Sequence, residues 1–317
     1  MATTIPPRGL IVDLITPLKA DGTIDGRGLS RIIERIMPHA RAIFLCSPVA
    51  GEGKNLNPAQ RLDLLRKTLV VARNRLPLLV WVTQATKDKT LETLETLKRG
   101  LDKWGQDSEV HWVDAPLYYH SNRGLPPYYA DLCQSTPQSF ILYNDPLIVK
   151  HLRKPLKRAN IRTAILKELS LLPCIQGLIF LGSMGRVYNY QRACRRRAGF
   201  RIYDGDETHF LEHPSTSGVV SMGSNLSPDI WEKVTRFSIE VGRDQEYYPD
   251  QLQQIWEAGE YLRTLREFYR PSPPAIIKGL LSDMGIIESA TCLSGESVDE
   301  KTIGRMRELM ERYSDRL

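Results

Sequence analysis

The chain has 317 residues, 42% hydrophobic and 25% charged, the proportions of an ordinary folded protein rather than of a disordered or fibrous one. Forty-three Lys and Arg against 37 Asp and Glu leave a net charge of +6, a mild excess that favours approach of an anion but is too dispersed to mark a nucleic-acid surface. Five widely spaced cysteines without a CxxC pair argue against a disulfide framework or zinc knuckle and for reduced thiols in a cytoplasm, and no apolar run approaches the ~20 residues of a membrane span.

From the N-terminus onward, short runs rich in Val, Ile and Leu alternate with amphipathic stretches, the pattern of repeated strand–helix units on a parallel sheet. Strands are expected near Gly9–Thr16, Ala42–Cys46, Leu78–Thr83, Val110–Asp114, Phe140–Tyr143, Gly177–Leu181, Phe200–Tyr203 and Gly218–Ser221. Helices are expected between them, near 28–37, 58–74, 89–104, 127–133, 164–172, 186–197, 208–213 and 228–241. Leu62, Leu65, Leu69 and Ala72 recur at helical spacing and mark the inner face of the second helix. The dense basic run from Arg192 to Arg197 lies on a helical stretch and reads as a solvated face. Past Gly242 the pattern is helical only, near 247–269, 274–287 and 298–313, with a break at Pro271, Pro273 and Pro274. Eight alternations predict an α/β fold, a (β/α)8 TIM barrel over residues 1–242, with residues 243–317 as a C-terminal helical extension packed on it in one structural unit.

Several segments resemble the dihydrodipicolinate synthase and N-acetylneuraminate lyase family. Thr16-Pro17, the turn Asp21-Gly22-Thr23-Ile24-Asp25 and Leu29 are similar to the family's opening, and Gly51-Glu52 with Leu56, Gln60 and Arg61 to its second loop and helix. Pro116-Leu117-Tyr118-Tyr119 is similar to the stretch that carries one tyrosine of the family's proton relay. Tyr143-Asn144-Asp145-Pro146 resembles its Tyr-Asn-x-Pro motif, the most specific match, whose tyrosine is the general acid/base. A tyrosine is a weak acid with a pKa near ~10, so it serves there by relaying protons in a dry pocket. The resemblance therefore implies Tyr143 and Tyr118 as catalytic candidates, and Gly51, Glu52, Gly205 and Val220 as ligand-binding positions.

At four positions the chain departs from the family pattern. Val49 and Ala50 stand where two threonines bind a keto-acid carboxylate, and Ile148 where an arginine supports it. The register Leu172-Pro173-Cys174-Ile175-Gln176-Gly177-Leu178 puts Ile179 in place of the lysine that forms the family's Schiff base. That chemistry needs an amine to turn a keto acid's carbonyl into an iminium electron sink, and isoleucine has no nucleophile. The expectation is a family member without standard lyase activity that binds a small molecule, a keto acid among the candidates, in a ligand-binding or regulatory role. The rival is an active enzyme on a 2-keto acid or other carbonyl compound, using Tyr143 and Tyr118 without an imine. The resemblance also implies a homo-oligomer, dimer or tetramer, with no cofactor and no nucleic-acid or membrane partner.

Two short motifs compete. His209-Phe210-Leu211-Glu212-His213 matches H-x-x-E-H, a zinc pattern, but Pro214 ends the helix and no distal acidic ligand is evident, so no metal is expected. Gly182-Ser183-Met184-Gly185 before a helix is a weak phosphate-loop signal.

Overall fold

The computed structural model describes residues 5–104, 108–152, 158–214, 216–240 and 248–314. The expected boundary at Gly242 lies outside the described residues. Eight strands form: β1 (Gly9–Asp13), β2 (Ala42–Leu45), β3 (Leu78–Trp81), β4 (Val110–Asp114), β5 (Ser139–Asn144), β6 (Ile175–Phe180), β7 (Arg201–Asp204) and β8 (Gly218–Ser221). They follow one another in chain order round a closed barrel, the (β/α)8 architecture that the alternating pattern predicts. Every strand residue except Arg201 is buried, which is why the strands read as continuous apolar runs rather than as alternations.

The interleaved helices are α1 (Gly26–Ile36), α2 (Pro58–Ala72), α3 (Lys87–Trp104), α4 (Leu125–Ser135), α5 (Pro146–His151), α6 (Thr163–Leu169), α7 (Met184–Cys194), α8 (Glu207–Glu212) and α9 (Pro228–Glu240). After them come α10 (Tyr248–Tyr269), α11 (Pro273–Asp283) and α12 (Glu300–Ser314). By internal contacts the chain forms two compact units. One is Pro77–Val220 with the N-terminal residues to Arg8; the other is Gly9–Leu76 with Ser221–Leu317.

In the second unit the starts of α1 and α2 follow from local chemistry. Asp21 takes the backbone N–H and hydroxyl of Thr23, and Asp25 caps α1 by accepting from the Gly28 N–H at 2.9 Å, so the Asp-Gly-Thr-Ile-Asp segment is the expected turn and helix start. Asn57 and Gln60 form a reciprocal capping box at α2. The buried stripe of α2 is Arg61, Leu64, Leu65, Thr68, Leu69 and Ala72. Leu62, assigned to that stripe from spacing, is only half-buried, because the stripe is centred one position earlier and includes Arg61, whose buried guanidinium donates to the Leu56 and Gly53 carbonyls.

In the first unit α5 was not anticipated. It is one and a half turns long, too short for a periodic signal, and its cue is the Asp145-Pro146 pair: Asp145 accepts from the Leu147 N–H at 2.7 Å and Pro146 occupies the first helical position. Two cysteines correct the reduced-thiol expectation. Cys133 on α4 and Cys174 just before β6 are joined in a disulfide, with Cα atoms 5.9 Å apart. Their separation of 41 residues has no local signature, and only the fold brings them together. Cys46, Cys194 and Cys292 are free and buried.

Candidate active site at the strand ends

Residues side by side in parallel strands project to the same face, so pairing registers locate the sequence candidates. Tyr143 on β5 pairs with Ile179 on β6, and Ile179 pairs with Tyr203 on β7. Trp81 of β3 meets the Tyr143 ring edge-on with centroids 5.0 Å apart. Tyr143 retains 7% of its surface, while Ile179 and Tyr203 have none. The Tyr203 hydroxyl donates to the Pro7 carbonyl at 2.6 Å, and burial raises its pKa far above that of a free phenol. Trp81, Tyr143, Ile179 and Tyr203 are thus buried aromatic and aliphatic neighbours, with no amine among them.

Gly205, a ligand-binding candidate, follows β7 and is tightly hemmed in. A Cβ there would lie 3.1 Å from Ile179 Cγ2 and 2.3 Å from Leu181 Cδ1, so the space beside Ile179 is filled by protein. Val220 is buried on β8 and Ile148 is buried on α5. Tyr118 ends the short 3-10 turn Pro116–Tyr118 after β4 and is half-buried.

Its neighbour Tyr119 is more deeply engaged. Asp114, at the end of β4, accepts hydrogen bonds from the hydroxyls of Thr83 (2.5 Å), Tyr119 (2.6 Å) and Tyr129 (2.6 Å). Burial pushes the Asp114 carboxyl up, against the lowering effect of these donors, and pushes both tyrosines well up; Tyr128, 3.1 Å from the Tyr119 hydroxyl, rises to about 12. Sequence reading missed this cluster. Its signal was a pair of tyrosine doublets, 118–119 and 128–129, following one acidic residue at a strand end.

After β7, His209 of α8 bonds through Nδ1 to Asp204, while its Nε2 is buried without a partner. Burial raises Asp204 to about 6, offset in part by the His209 hydrogen bond. Of the H-x-x-E-H motif, Glu212 and His213 are exposed, and no group of three or more His, Cys, Asp or Glu placed to hold a metal ion occurs among the described residues. In the other weak motif, a Cβ on Gly182 would come within 2.4 Å of the Phe180 ring, so this glycine serves packing.

The loop after β2 lies in the other unit. Val49 is 40% exposed and Ala50 fully buried, so neither presents a polar side chain. The Gly51 N–H donates to Ser47 Oγ and its carbonyl accepts from Thr16 Oγ1, both at 2.8 Å. Glu52 is buried in an ion pair with Lys278 of α11 and also accepts from the Leu293 N–H at 2.6 Å. Lys278 donates to the Thr291 carbonyl at 2.9 Å as well. The carboxylate and the amine are each committed to holding the chain together.

Among the described residues no helix is long and apolar enough to cross a membrane. A model of the dihydrodipicolinate synthetase family matches residues 6–296. Among curated relatives, the 4-hydroxy-tetrahydrodipicolinate synthase of Azobacteroides pseudotrichonymphae is 22% identical over 308 residues, 96% of each chain. Among solved structures, a monomeric dihydrodipicolinate synthase variant superposes with a TM-score of 0.79 at 20% identity, covering 98% of both chains. The dihydrodipicolinate synthase of Acinetobacter baumannii, solved with pyruvate, superposes with a TM-score of 0.75 at 20% identity, covering 97% of this chain and 98% of that one.

Proposed function

The chain belongs to the dihydrodipicolinate synthetase family, and on that premise we propose that it is a member that does not form a Schiff base, retaining the fold to bind a small molecule in a ligand-binding or regulatory role. One observation carries this reading: Ile179, the residue in register with Tyr143 where the family resemblance calls for a lysine, is wholly buried and aliphatic. Without an amine a keto acid's carbonyl has no covalent electron sink, so bond cleavage or formation beside it loses its usual driving chemistry. The two lysines nearest to consideration do not supply one. Lys167 is exposed on α6, and Lys278 is consumed by Glu52.

The other departures support the same reading. Val49, Ala50 and Ile148 are apolar where the resemblance calls for carboxylate-binding groups, so recognition of a keto acid would fall to backbone donors. The test is borohydride trapping with pyruvate, read by intact mass beside a lysine-bearing relative as positive control. The unmodified mass is expected for this chain; a stable reduced adduct overturns the proposal and its mapped peptide identifies the lysine.

A second reading rests on Tyr143, which the resemblance makes the general acid/base and which packs against the Trp81 ring while keeping 7% of its surface exposed. On that reading the chain is a carbonyl-directed enzyme using Tyr143 and Tyr118 for proton transfer. Turnover of a 2-keto acid that disappears in Tyr143→Phe supports it, and silence across a keto-acid and aldehyde panel removes it.

A further inference from the structure

We propose that the cavity bounded by Arg158, Ala159, Asn160, Arg162 and Arg186 is a binding site for a phosphoryl group, either as free phosphate or as the end of a phosphorylated small molecule. The cavity is open to solvent and has a volume of about 180 Å³. That is below the ~300–1,000 Å³ of pockets that swallow a whole drug-sized ligand, and suited to one compact anionic group. It lies at the residues just before α6 and at the first turn of α7. It does not involve Ile179 or Tyr143, so it stands or falls separately from the Schiff-base proposal.

The wall is built by buried side chains rather than left to a loose surface loop. Asn144, at the end of β5, accepts from the Ile161 N–H at 2.8 Å and donates to the Ala159 carbonyl at 3.2 Å. Asn122 accepts from the Arg162 N–H at 2.7 Å and donates to the Asn160 carbonyl at 3.0 Å. The Tyr190 hydroxyl donates to the Ile161 carbonyl at 2.6 Å. Residues 159–162 are therefore pinned through their backbone by three buried polar side chains, with Ala159, Asn160 and Arg162 lining the cavity and Ile161 buried behind them. The Arg186 guanidinium sits over the Tyr190 ring, 5.8 Å from its centroid, which limits the rotamers it samples.

Among the described residues no carboxylate compensates the charge on this wall. No ion pair joins Arg158, Arg162 or Arg186 to a carboxylate among the described residues. The sequence from Pro146 to Lys167 carries seven Lys and Arg and no Asp or Glu, a local excess of positive charge that favours an anion. Three forked guanidinium groups outnumber the two oxygens of a carboxylate and match the three terminal oxygens of a phosphomonoester, each able to take paired N–H donors. An exposed arginine cluster of this kind repels itself when empty, and a dianion removes that repulsion.

The test is calorimetric titration of the full chain with inorganic phosphate and, separately, with glycerol 3-phosphate, at 0.15 M salt, with acetate as the monoanion control. Saturable one-to-one binding of at least one phosphate probe is expected, and no saturation by acetate. A tighter Kd for glycerol 3-phosphate identifies a phosphorylated small molecule as the ligand; equal affinities identify the free anion. Arg162→Gln with Arg186→Gln is expected to weaken binding at least tenfold, whereas Arg195→Gln with Arg196→Gln, both exposed farther along the basic run, leaves it unchanged. Absence of saturation in the wild type, or equal losses in both double variants, overturns the proposal. Should the first variant fail to fold, phenylglyoxal labelling of the wild type decides: phosphate must protect Arg158, Arg162 and Arg186 ahead of Arg195 and Arg196, and uniform labelling sinks the site.

Discussion

Polar side chains at the strand ends divide by the face they point to. Tyr143, Ile179 and Tyr203 share one face through the β5–β6–β7 register, while the residues that follow them in the chain, Asn144, Phe180 and Asp204, share the other. On that second face Asn144 and Asp204 act as anchors, one for the segment before α6 and one for His209 of α8. Asp204 gives a pH prediction. Burial raises its carboxyl from an ordinary 3.8 to about 6, so between those values the folded chain holds a proton that the unfolded chain releases. Its stabilising contribution is complete below about pH 4 and is lost as pH rises through about 6, a change on the order of 3 kcal/mol. Thermal melts from pH 4 to 7 are expected to show this decline in the wild type and a flatter profile in Asp204→Asn. Tyr143 and Ile179 were legible in the sequence because a motif spacing fixes them. The Asp114 and Asp204 clusters were not, since each gathers residues from a strand end and a later turn or helix whose approach no spacing rule encodes.

Among the elements, α11 is tied to the loop after β2 by the Lys278–Glu52 pair, both members buried. Removing one partner leaves the other charge without compensation in a place that water does not reach. Lys278→Met is therefore expected to cost about 3–5 kcal/mol in urea unfolding, and Glu52→Gln combined with it to recover part of that loss. The disulfide between Cys133 and Cys174 closes a 41-residue separation and links α4 to the approach to β6. Its reduction is expected to remove about 2–4 kcal/mol of stability, read as a fall in Tm with reductant that the Cys133→Ser, Cys174→Ser double variant no longer shows. Periodicity found every strand and every long helix because a buried run or an amphipathic stripe is a property of consecutive residues. It missed α5, where six residues give a stripe no room to repeat, and displaced the α2 stripe, where a buried arginine breaks the apolar code.

At the scale of the whole molecule, about 20% identity suffices to carry a barrel across nearly the entire chain, as the superposition on the monomeric synthase variant shows. Such tolerance is expected when the fold depends on which positions are apolar rather than on which apolar residue fills them. Activity has no such latitude, because it rests on single functional groups. The borohydride experiment measures that difference directly: the same barrel is expected to give an adduct where a lysine stands on β6 and none where Ile179 does. The phosphate titration asks a separate question of the same molecule, at residues for which the family resemblance makes no prediction.

The sequence by itself determined the architecture, since eight repeats of an apolar run and an amphipathic stripe leave little else to build. It also put Ile179 at the position where the resemblance calls for a lysine, whereas its pairing with Tyr143 came from the structure, where the β5–β6 register shifts between Phe140 and Ile141. Tertiary structure alone decided the rest: that Cys133 meets Cys174, that Asp114 collects three hydroxyls, and that Arg158, Arg162 and Arg186 surround one cavity. Those groupings join residues from different strand–helix units, and their proximity is set by barrel closure and helix packing, which leave no periodic trace along the chain.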